Sequence, residues 1–112
     1  KKNLMLKEKT VHELKQMMDD GSDFQLIDVR ELHEFELANI GGEPMPMGKI
    51  IYEEEKIATD KPVILHCRSG KRSAQTILQL QTMYGFENLF NLKGGIIAWA
   101  DEIDQTIPKY DF

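Results

Sequence analysis

The chain has little cysteine: Cys67 is its only one among 112 residues. A single cysteine cannot form an internal disulfide, so we expect a reducing compartment such as the cytoplasm. No apolar run approaches the roughly 18 residues of a membrane span, and the first residues do not form a signal-peptide pattern. The net charge of -5 argues against nucleic acid as the main partner. We therefore expect neither a membrane nor a nucleic-acid partner.

Metal ligands are scarce as well. A zinc site normally needs several cysteines or a tight histidine cluster, whereas this chain has only His12, His33 and His66 beside its one cysteine. We expect no metal, no cofactor, and surface or core positions for all three histidines. His66 precedes Cys67, but neighbours on a strand point to opposite faces. A Cys–His catalytic dyad is therefore not expected.

The length of 112 residues predicts a single domain, residues 1–112. Because the chain starts at Lys1 rather than at a methionine, we expect it to be one module of a longer protein. Strands are predicted at 4–6, 24–29, 62–66 and 88–92, with at most a very short strand in 41–46. Helices are predicted at 11–20, 31–37, 49–57, 73–84 and 96–104. This alternation is typical of an α/β domain with a largely parallel sheet.

Local signals support two of these helices. Thr10 is a plausible N-cap, and Glu13 three residues later completes a capping box. In the helix predicted at 73–84, Ala74, Ile77 and Leu78 form the expected apolar face. Gly85 follows that helix and suits its C-terminal cap.

The loop at 67–73, Cys-Arg-Ser-Gly-Lys-Arg-Ser, carries the strongest functional signal. It lies between a buried strand and a helix start, at the strand end where open α/β sheets bind ligands. Helix-start amides, loop amides and nearby cations all stabilise anions. We therefore expect Cys67 to be a nucleophilic thiolate inside a small anion pocket.

Each loop residue has an expected role in this pocket. Arg68 and Lys71 supply positive charge, and Arg72 is expected to face the pocket because it closes the loop. Gly70 is expected to adopt an unusual backbone angle or to permit close approach of a ligand. Ser69 and Ser73 can donate hydroxyl groups or cap the helix, and capping is the favoured role of Ser73.

Two charged residues, Asp28 and Arg30, end another predicted core strand. They are expected at the same rim of the sheet as Cys67. Paired opposite charges there can form a simple local salt bridge, and we expect them to support the loop rather than to act in catalysis.

Three motifs in order resemble those of single-domain rhodaneses. They are LIDVRE at 26–31 with HEF at 33–35, VILHCRSGKRS at 63–73, and LKGG at 92–95 ahead of Trp99. The resemblance covers residues 9–110. Within the family, the stretches 91–104 and 107–110 are similar to the C-terminal rhodanese module of MoeB/ThiF-like adenylyltransferases.

The resemblance implies a small parallel sheet flanked by helices on both faces, and a sulfurtransferase that carries a persulfide on Cys67. It implies that sulfane sulfur comes from thiosulfate or a cysteine desulfurase. The implied acceptors are cyanide, a thiol or a ubiquitin-like sulfur-carrier protein, in molybdopterin, thiamine or tRNA-thiolation pathways.

Three alternatives remain beside this interpretation. The first is a non-catalytic rhodanese-like interaction module, although such domains commonly lose the cysteine. The second is a cysteine phosphatase or arsenate reductase, whose motif places five residues between Cys and Arg, whereas four separate Cys67 from Arg72. The third is a redox sensor, since an exposed thiolate oxidises readily.

Overall fold

The computed structural model describes residues 5–109. Five parallel strands form one sheet in the order β1-β5-β4-β2-β3. The strands are β1 (Glu8–Lys9), β2 (Gln25–Asp28), β3 (Glu43–Pro44), β4 (Val63–His66) and β5 (Leu89–Leu92). The helices are α1 (Val11–Asp19), α2 (Leu32–Leu37), α3 (Met47–Ile50), α4 (Lys71–Tyr84) and α5 (Gly95–Glu102), with a 3-10 turn at Glu54–Lys56.

Strand β4 is the centre of the sheet, and all four of its residues are buried. Its alternate side chains separate two apolar clusters, as expected for a strand covered on both faces. Leu65 packs in one cluster with Ile77 of α4, and Ile64 packs in the other with Leu14 of α1 and Trp99 of α5. The prediction of a small parallel sheet flanked by helices on both faces is confirmed. None of the helices within residues 5–109 is long and apolar enough to cross a bilayer.

Helix α1 begins as its sequence predicts. Thr10 has extended backbone geometry, its side chain accepts a hydrogen bond from the Glu13 amide, and the Glu13 carboxylate accepts one from the Thr10 amide. This capping box satisfies two amides that the first helical turn leaves open. The sharp start matters because α1 leaves the carboxyl edge of the sheet directly after β1.

The opening strand lies later in the chain than predicted. Met5 and Leu6 are outside strand structure, and Leu4 lies outside the described residues. The strand forms at Glu8–Lys9 because these residues pair in parallel with Asn91 and Leu92 of β5. Leu6 instead packs its side chain against the core, so its apolar character reflects burial rather than strand pairing.

The prediction of one helix over 49–57 is also wrong in part. Helix α3 ends at Ile50, and a 3-10 turn at Glu54–Lys56 follows after a break. The side chain of Gln25 in β2 donates to the Lys56 carbonyl at 2.9 Å and accepts from the Ala58 amide at 2.7 Å. These tertiary hydrogen bonds hold extended backbone at Ile57, with φ -92° and ψ 124°, and end the segment there. The helix itself breaks earlier, at Glu53, whose φ of -129° and ψ of 31° are not helical.

The buried face of α4 differs from the predicted one at Leu78, whose side chain is exposed. Leu80 is buried with Ile77, and the polar Thr76 and Gln81 join the same face. Gln81 donates to the Met5 carbonyl and Thr76 donates to the Arg72 carbonyl, at 3.1 and 2.8 Å. The apolar stripe is narrow because Gln81 reaches a main-chain carbonyl outside the helix, whereas Thr76 bonds a carbonyl one turn earlier in the same helix.

A buried ion pair holds the turn that follows β2. Arg30 donates from Nε to Asp28 Oδ1 at 2.9 Å and from Nη2 to Asp28 Oδ2 at 2.7 Å. Nη2 also donates to the Ala38 carbonyl just beyond α2, at 2.7 Å. Both side chains are buried, and the pair fixes α2 relative to the carboxyl edge of the sheet.

Asp28→Asn should leave the Arg30 charge buried without its counter-charge. We expect the free energy of unfolding in urea to fall by about 3–5 kcal/mol. Asp19→Asn makes the same chemical change in the exposed Lys15–Asp19 pair, and we expect a far smaller loss. Equal losses for the two variants would contradict this account of the turn.

Candidate active site

The sulfur of Cys67 lies at the carboxyl edge of the sheet, one residue after β4. It accepts hydrogen bonds from the amides of Gly70 and Ser73, at 3.1 and 3.5 Å. The Ser73 hydroxyl oxygen lies 3.4 Å from the same sulfur. The Cys67 residue is only 1% exposed. The loop therefore surrounds one sulfur atom with donors and shields it from bulk water.

Gly70 allows this loop to turn directly into α4. Its φ of +99° lies in the left-handed region, and it is the N-cap residue of the helix. A side chain here would also meet the Asn91 amide and the Leu92 carbonyl at 3.4 Å. The turn aims the first amides of a 14-residue helix at the sulfur, and the partial positive charge of such amides suits an anion.

The helix consequently starts at Lys71, two residues before the predicted start at Ser73. The prediction that Ser73 caps α4 is wrong, because Gly70 occupies the N-cap. Ser73 instead lies in the first turn, fully buried, with its hydroxyl directed at Cys67 and at Asn91. The hydroxyl thus belongs to the surroundings of the sulfur.

The basic residues of the loop occupy different environments. Lys71 and Ser69 are exposed, and Arg68 is half-buried. Arg72 donates to both carboxylate oxygens of Glu34, from Nη1 at 2.7 Å and from Nη2 at 2.9 Å. Glu34 is a buried residue of α2, so the Arg72 guanidinium shares its charge with a carboxylate. The role of Arg72 in anion binding stays a prediction.

Asn91 is a site residue that sequence reasoning missed. It is 3% exposed in β5, and its Oδ1 lies 2.5 Å from the Ser73 hydroxyl oxygen. Its Nδ2 donates to the Gly70 carbonyl at 3.1 Å and to Glu8 Oε2 at 3.2 Å. The available signal was a single amide within the otherwise apolar run Leu89–Leu92.

The start of α5 clamps the loop from the other side. The amides of Ile96 and Ile97 donate to the carbonyls of Cys67 and Arg68, at 3.0 and 3.1 Å. Gly95 has a φ of +58°, and a Cβ there would overlap both carbonyl oxygens. The LKGG motif at 92–95 alone does not reveal this close backbone contact.

His66 lies on the opposite side of β4 from the Cys67 side chain. Its Nδ1 is 3.4 Å from the Cys67 carbonyl oxygen, and its Nε2 is 3.6 Å from Asp28 Oδ2. Burial lowers the pKa of His66, and the Asp28 carboxylate opposes that shift. The imidazole is therefore neutral near pH 7 and belongs to the core. His12 is on the surface, where it contacts Glu102 at 2.9 Å.

The described residues offer no group of His, Cys, Asp and Glu side chains that could hold a metal ion. Asp28 and Arg30 form an ion pair with each other. Their link to the loop is indirect, because their turn carries α2 and α2 carries Glu34. The cluster around Cys67 is thus built from main-chain amides and neutral side chains.

Comparison with known proteins identifies the family. Residues 10–102 match the model of the rhodanese-like domain. The chain belongs to the rhodanese-like family. A protein of Allochromatium vinosum named sulfurtransferase is 36% identical over 97 residues, which cover 86% of this chain and 90% of that protein. A sulfurtransferase-like role therefore holds at the level of the family.

The chain is also similar to an adenylyltransferase/sulfurtransferase. The probable adenylyltransferase/sulfurtransferase MoeZ of Mycobacterium tuberculosis is 32% identical over 104 residues. The match covers 90% of this chain but only 26% of MoeZ. The similarity to the rhodanese modules of adenylyltransferase/sulfurtransferases, predicted from the stretch 91–104, is confirmed.

The same architecture occurs in a solved structure. The rhodanese-like domain protein of Staphylococcus aureus superposes with a TM-score of 0.79 at 26% identity. The match covers 95% of this chain and all of that one. The rhodanese-like fold inferred from the sequence motifs is thereby confirmed.

Gly95→Ala tests the clamp on the loop. We expect a loss of stability and slower alkylation of Cys67 by iodoacetamide, because the new methyl group displaces the Cys67 and Arg68 carbonyls. Gly48→Ala is the matched control, since a Cβ at Gly48 meets nothing within 4 Å. Thermal unfolding and alkylation rates unchanged by Gly95→Ala would show that the clamp is unimportant.

Proposed function

We propose that this protein is a rhodanese-type sulfurtransferase that carries sulfane sulfur as a persulfide on Cys67. The observation that carries the proposal is the set of donors around one sulfur, namely the amides of Gly70 and Ser73 and the Ser73 hydroxyl. Such a site stabilises a thiolate without a general base. The core position of neutral His66 fits a mechanism that needs no imidazole.

In the first half-reaction the Cys67 thiolate attacks the outer sulfur of a donor such as thiosulfate. A new bond forms between Sγ and that sulfur, and the bond between the two thiosulfate sulfurs breaks. Sulfite leaves with the electron pair of the broken bond. Cys67 is left as a persulfide whose terminal sulfur carries the negative charge.

In the second half-reaction a thiolate or cyanide attacks the terminal sulfur of the persulfide. The sulfur–sulfur bond breaks, and Cys67 leaves as a thiolate with the electron pair. Donors that stabilise the thiolate make Cys67 a better leaving group. The amides that prepare the nucleophile in the first half-reaction therefore assist departure in the second.

The charged residues support an anionic donor. The chain has a net charge of -5, yet Arg68, Lys71 and Arg72 follow the cysteine within five positions. A local positive field attracts anions such as thiosulfate and stabilises departing sulfite. We propose that Arg72 contributes to this positive field. The Glu34 carboxylate binds the Arg72 guanidinium and holds it beside the loop.

The physiological donor and acceptor form the finer part of the proposal. We propose a cysteine desulfurase or thiosulfate as donor and a thiol or ubiquitin-like sulfur-carrier protein as acceptor. The similarity to MoeZ, named an adenylyltransferase/sulfurtransferase, supports this choice. Molybdopterin, thiamine and tRNA-thiolation pathways are the matching contexts, with a cytoplasmic location.

The alternatives have weaker support. A non-catalytic binding module has no need for a cysteine with three donors on its sulfur. A redox sensor that acts through a disulfide would need a partner molecule, because the chain has no second cysteine. A phosphatase or arsenate reductase needs room for a whole oxyanion. The loop from Cys67 to Arg72 is one residue shorter than the motif of those enzymes.

Cys67→Ser tests the proposal in a thiosulfate:cyanide assay. We expect thiocyanate formation to fall to the rate of the solution without protein, because a serine hydroxyl cannot form the persulfide. Inorganic polysulfide serves as a second donor in parallel. Thr82→Ala, which removes an exposed hydroxyl on α4, should keep the wild-type rate. Wild-type thiocyanate formation by Cys67→Ser, or hydrolysis of an aryl phosphate by the wild type, would reject the proposal.

A further inference from the structure

One hydroxyl hydrogen in the site faces two acceptors. The Ser73 oxygen lies 2.5 Å from Asn91 Oδ1 and 3.4 Å from Cys67 Sγ. Serine carries one donor hydrogen, so it cannot donate to both atoms at once. The shorter distance indicates that the hydrogen points to Asn91 when Cys67 is a neutral thiol.

The orientation of the Asn91 amide is fixed by its other contacts. Its Nδ2 faces two oxygens, the Gly70 carbonyl at 3.1 Å and Glu8 Oε2 at 3.2 Å. Exchanging the two amide atoms would set Oδ1 against both oxygens, and three acceptors would then face one another without a hydrogen between them. Oδ1 therefore faces Ser73. Glu8 supports this geometry because it pairs in register with Asn91 across β1 and β5.

All three residues of the network are enclosed. Ser73 is fully buried, Cys67 is 1% exposed and Asn91 is 3% exposed. In such surroundings the direction of one hydrogen bond carries more weight than in water, since a buried acceptor that loses its donor is costly. The choice of acceptor by Ser73 is thus tied to the charge of the sulfur.

We propose that Asn91 is a positioning residue that competes with the Cys67 sulfur for the Ser73 hydroxyl hydrogen, so that the hydroxyl follows the charge of the sulfur. With a neutral thiol, Cys67 S–H donates to Ser73 Oγ and Ser73 O–H donates to Asn91 Oδ1. When the thiol proton leaves to solvent, the hydroxyl rotates and donates to the thiolate. No covalent bond other than S–H changes.

The role of Asn91 during turnover deepens the proposed function and rests on it. After sulfur is accepted, the charge lies on the terminal sulfur, and the inner sulfur is a poor acceptor. The Ser73 hydrogen then returns to Asn91. It turns to the inner sulfur again as that atom leaves as a thiolate. Asn91 therefore keeps the thiolate from being overstabilised, which preserves its nucleophilicity.

The surrounding charges are the same in every comparison below. They are Arg68, Lys71 and Arg72 on the loop and the first turn of α4, Glu34 on α2, Glu8 on β1, Asp28 and Arg30 at the end of β2, His66 on β4 and Lys93 after β5. Substitutions at Ser73 and Asn91 alter none of these charges. Asn91→Leu also removes the hydrogen bond to Glu8, but it does so with or without the Ser73 hydroxyl, so the comparison of the two backgrounds isolates that hydroxyl.

The test is the pH dependence of iodoacetamide alkylation of Cys67 in the wild type, Asn91→Leu, Ser73→Ala and the double variant. Asn91→Leu frees the Ser73 hydrogen, so the pH of half-maximal rate should fall by about one unit. Ser73→Ala removes the donor, so that pH should rise by about one unit. In the Ser73→Ala background, Asn91→Leu should cause no shift.

A purely structural role for Asn91 predicts a different pattern. Loss of its contact with the Gly70 carbonyl would loosen the loop with or without the Ser73 hydroxyl. A rise in the half-maximal pH for Asn91→Leu, or an equal shift in both backgrounds, therefore overturns the inference. Circular dichroism establishes that each variant is folded.

A second measurement keeps the inference testable if Asn91→Leu fails to fold. The side-chain amide of Asn91 is followed by NMR in 15N-labelled protein over the same pH range. In the wild type its signals should move with the alkylation midpoint, because Oδ1 loses its donor when the thiolate forms. In Ser73→Ala they should not move at that midpoint. Signals that are insensitive to Cys67 ionisation in the wild type overturn the inference.

Failure of this inference and failure of the proposed function are distinguishable. Alkylation and NMR report the thiolate and require no sulfur transfer, whereas thiocyanate formation requires the persulfide. Predicted shifts without thiocyanate support the network and reject the sulfurtransferase proposal. Thiocyanate formation without the shifts supports the sulfurtransferase proposal and rejects the network.

Discussion

The hydrogen bond from the Gly70 amide to the Cys67 sulfur, 3.1 Å long, is the contact on which the site depends. It exists only because the loop turns into α4 immediately after β4 ends. That turn needs left-handed backbone at Gly70, with φ +99°, and it brings the Ser73 amide and hydroxyl to the same sulfur. The chemistry of the domain is therefore a consequence of how one strand enters one helix.

The remaining contacts hold this loop in place. Helix α5 fixes it through amides that bind the Cys67 and Arg68 carbonyls. Strand β5 supports it through Asn91, and α2 supports it through the Glu34–Arg72 pair. These contacts come from three different elements, α5, β5 and α2, which meet at the carboxyl edge of the sheet. A buried sulfur with fixed donors suits the proposed function, in which Cys67 alternates between nucleophile and leaving group.

Local sequence was sufficient to predict the main elements and the position of Cys67 in a loop between a strand and a helix. The apolar run before Cys67, the basic loop and the following helix all lie within one continuous segment, and three separated motifs indicated the family. The capping box at Thr10 and Glu13 was likewise a local signal. The α/β class with a largely parallel sheet followed from the alternation of strands and helices, and the covering of both faces by helices followed from the resemblance to rhodaneses.

The errors arose where contacts join distant parts of the chain. Gln25 fixes the backbone at Lys56 and Ala58, and no pattern within 49–57 reveals that constraint. Asn91 was missed because its partners are Gly70, Ser73 and Glu8. Those contacts depend on which strands are neighbours in the sheet, and three-dimensional pairing is required to see them.

Intact mass spectrometry tests the central claim most directly. The wild-type protein is treated with thiosulfate, weighed, and then treated with cyanide. The account predicts an added mass of one sulfur atom, assigned to the peptide that contains Cys67 and removed by cyanide. No added sulfur, or sulfur that remains after cyanide, would contradict it.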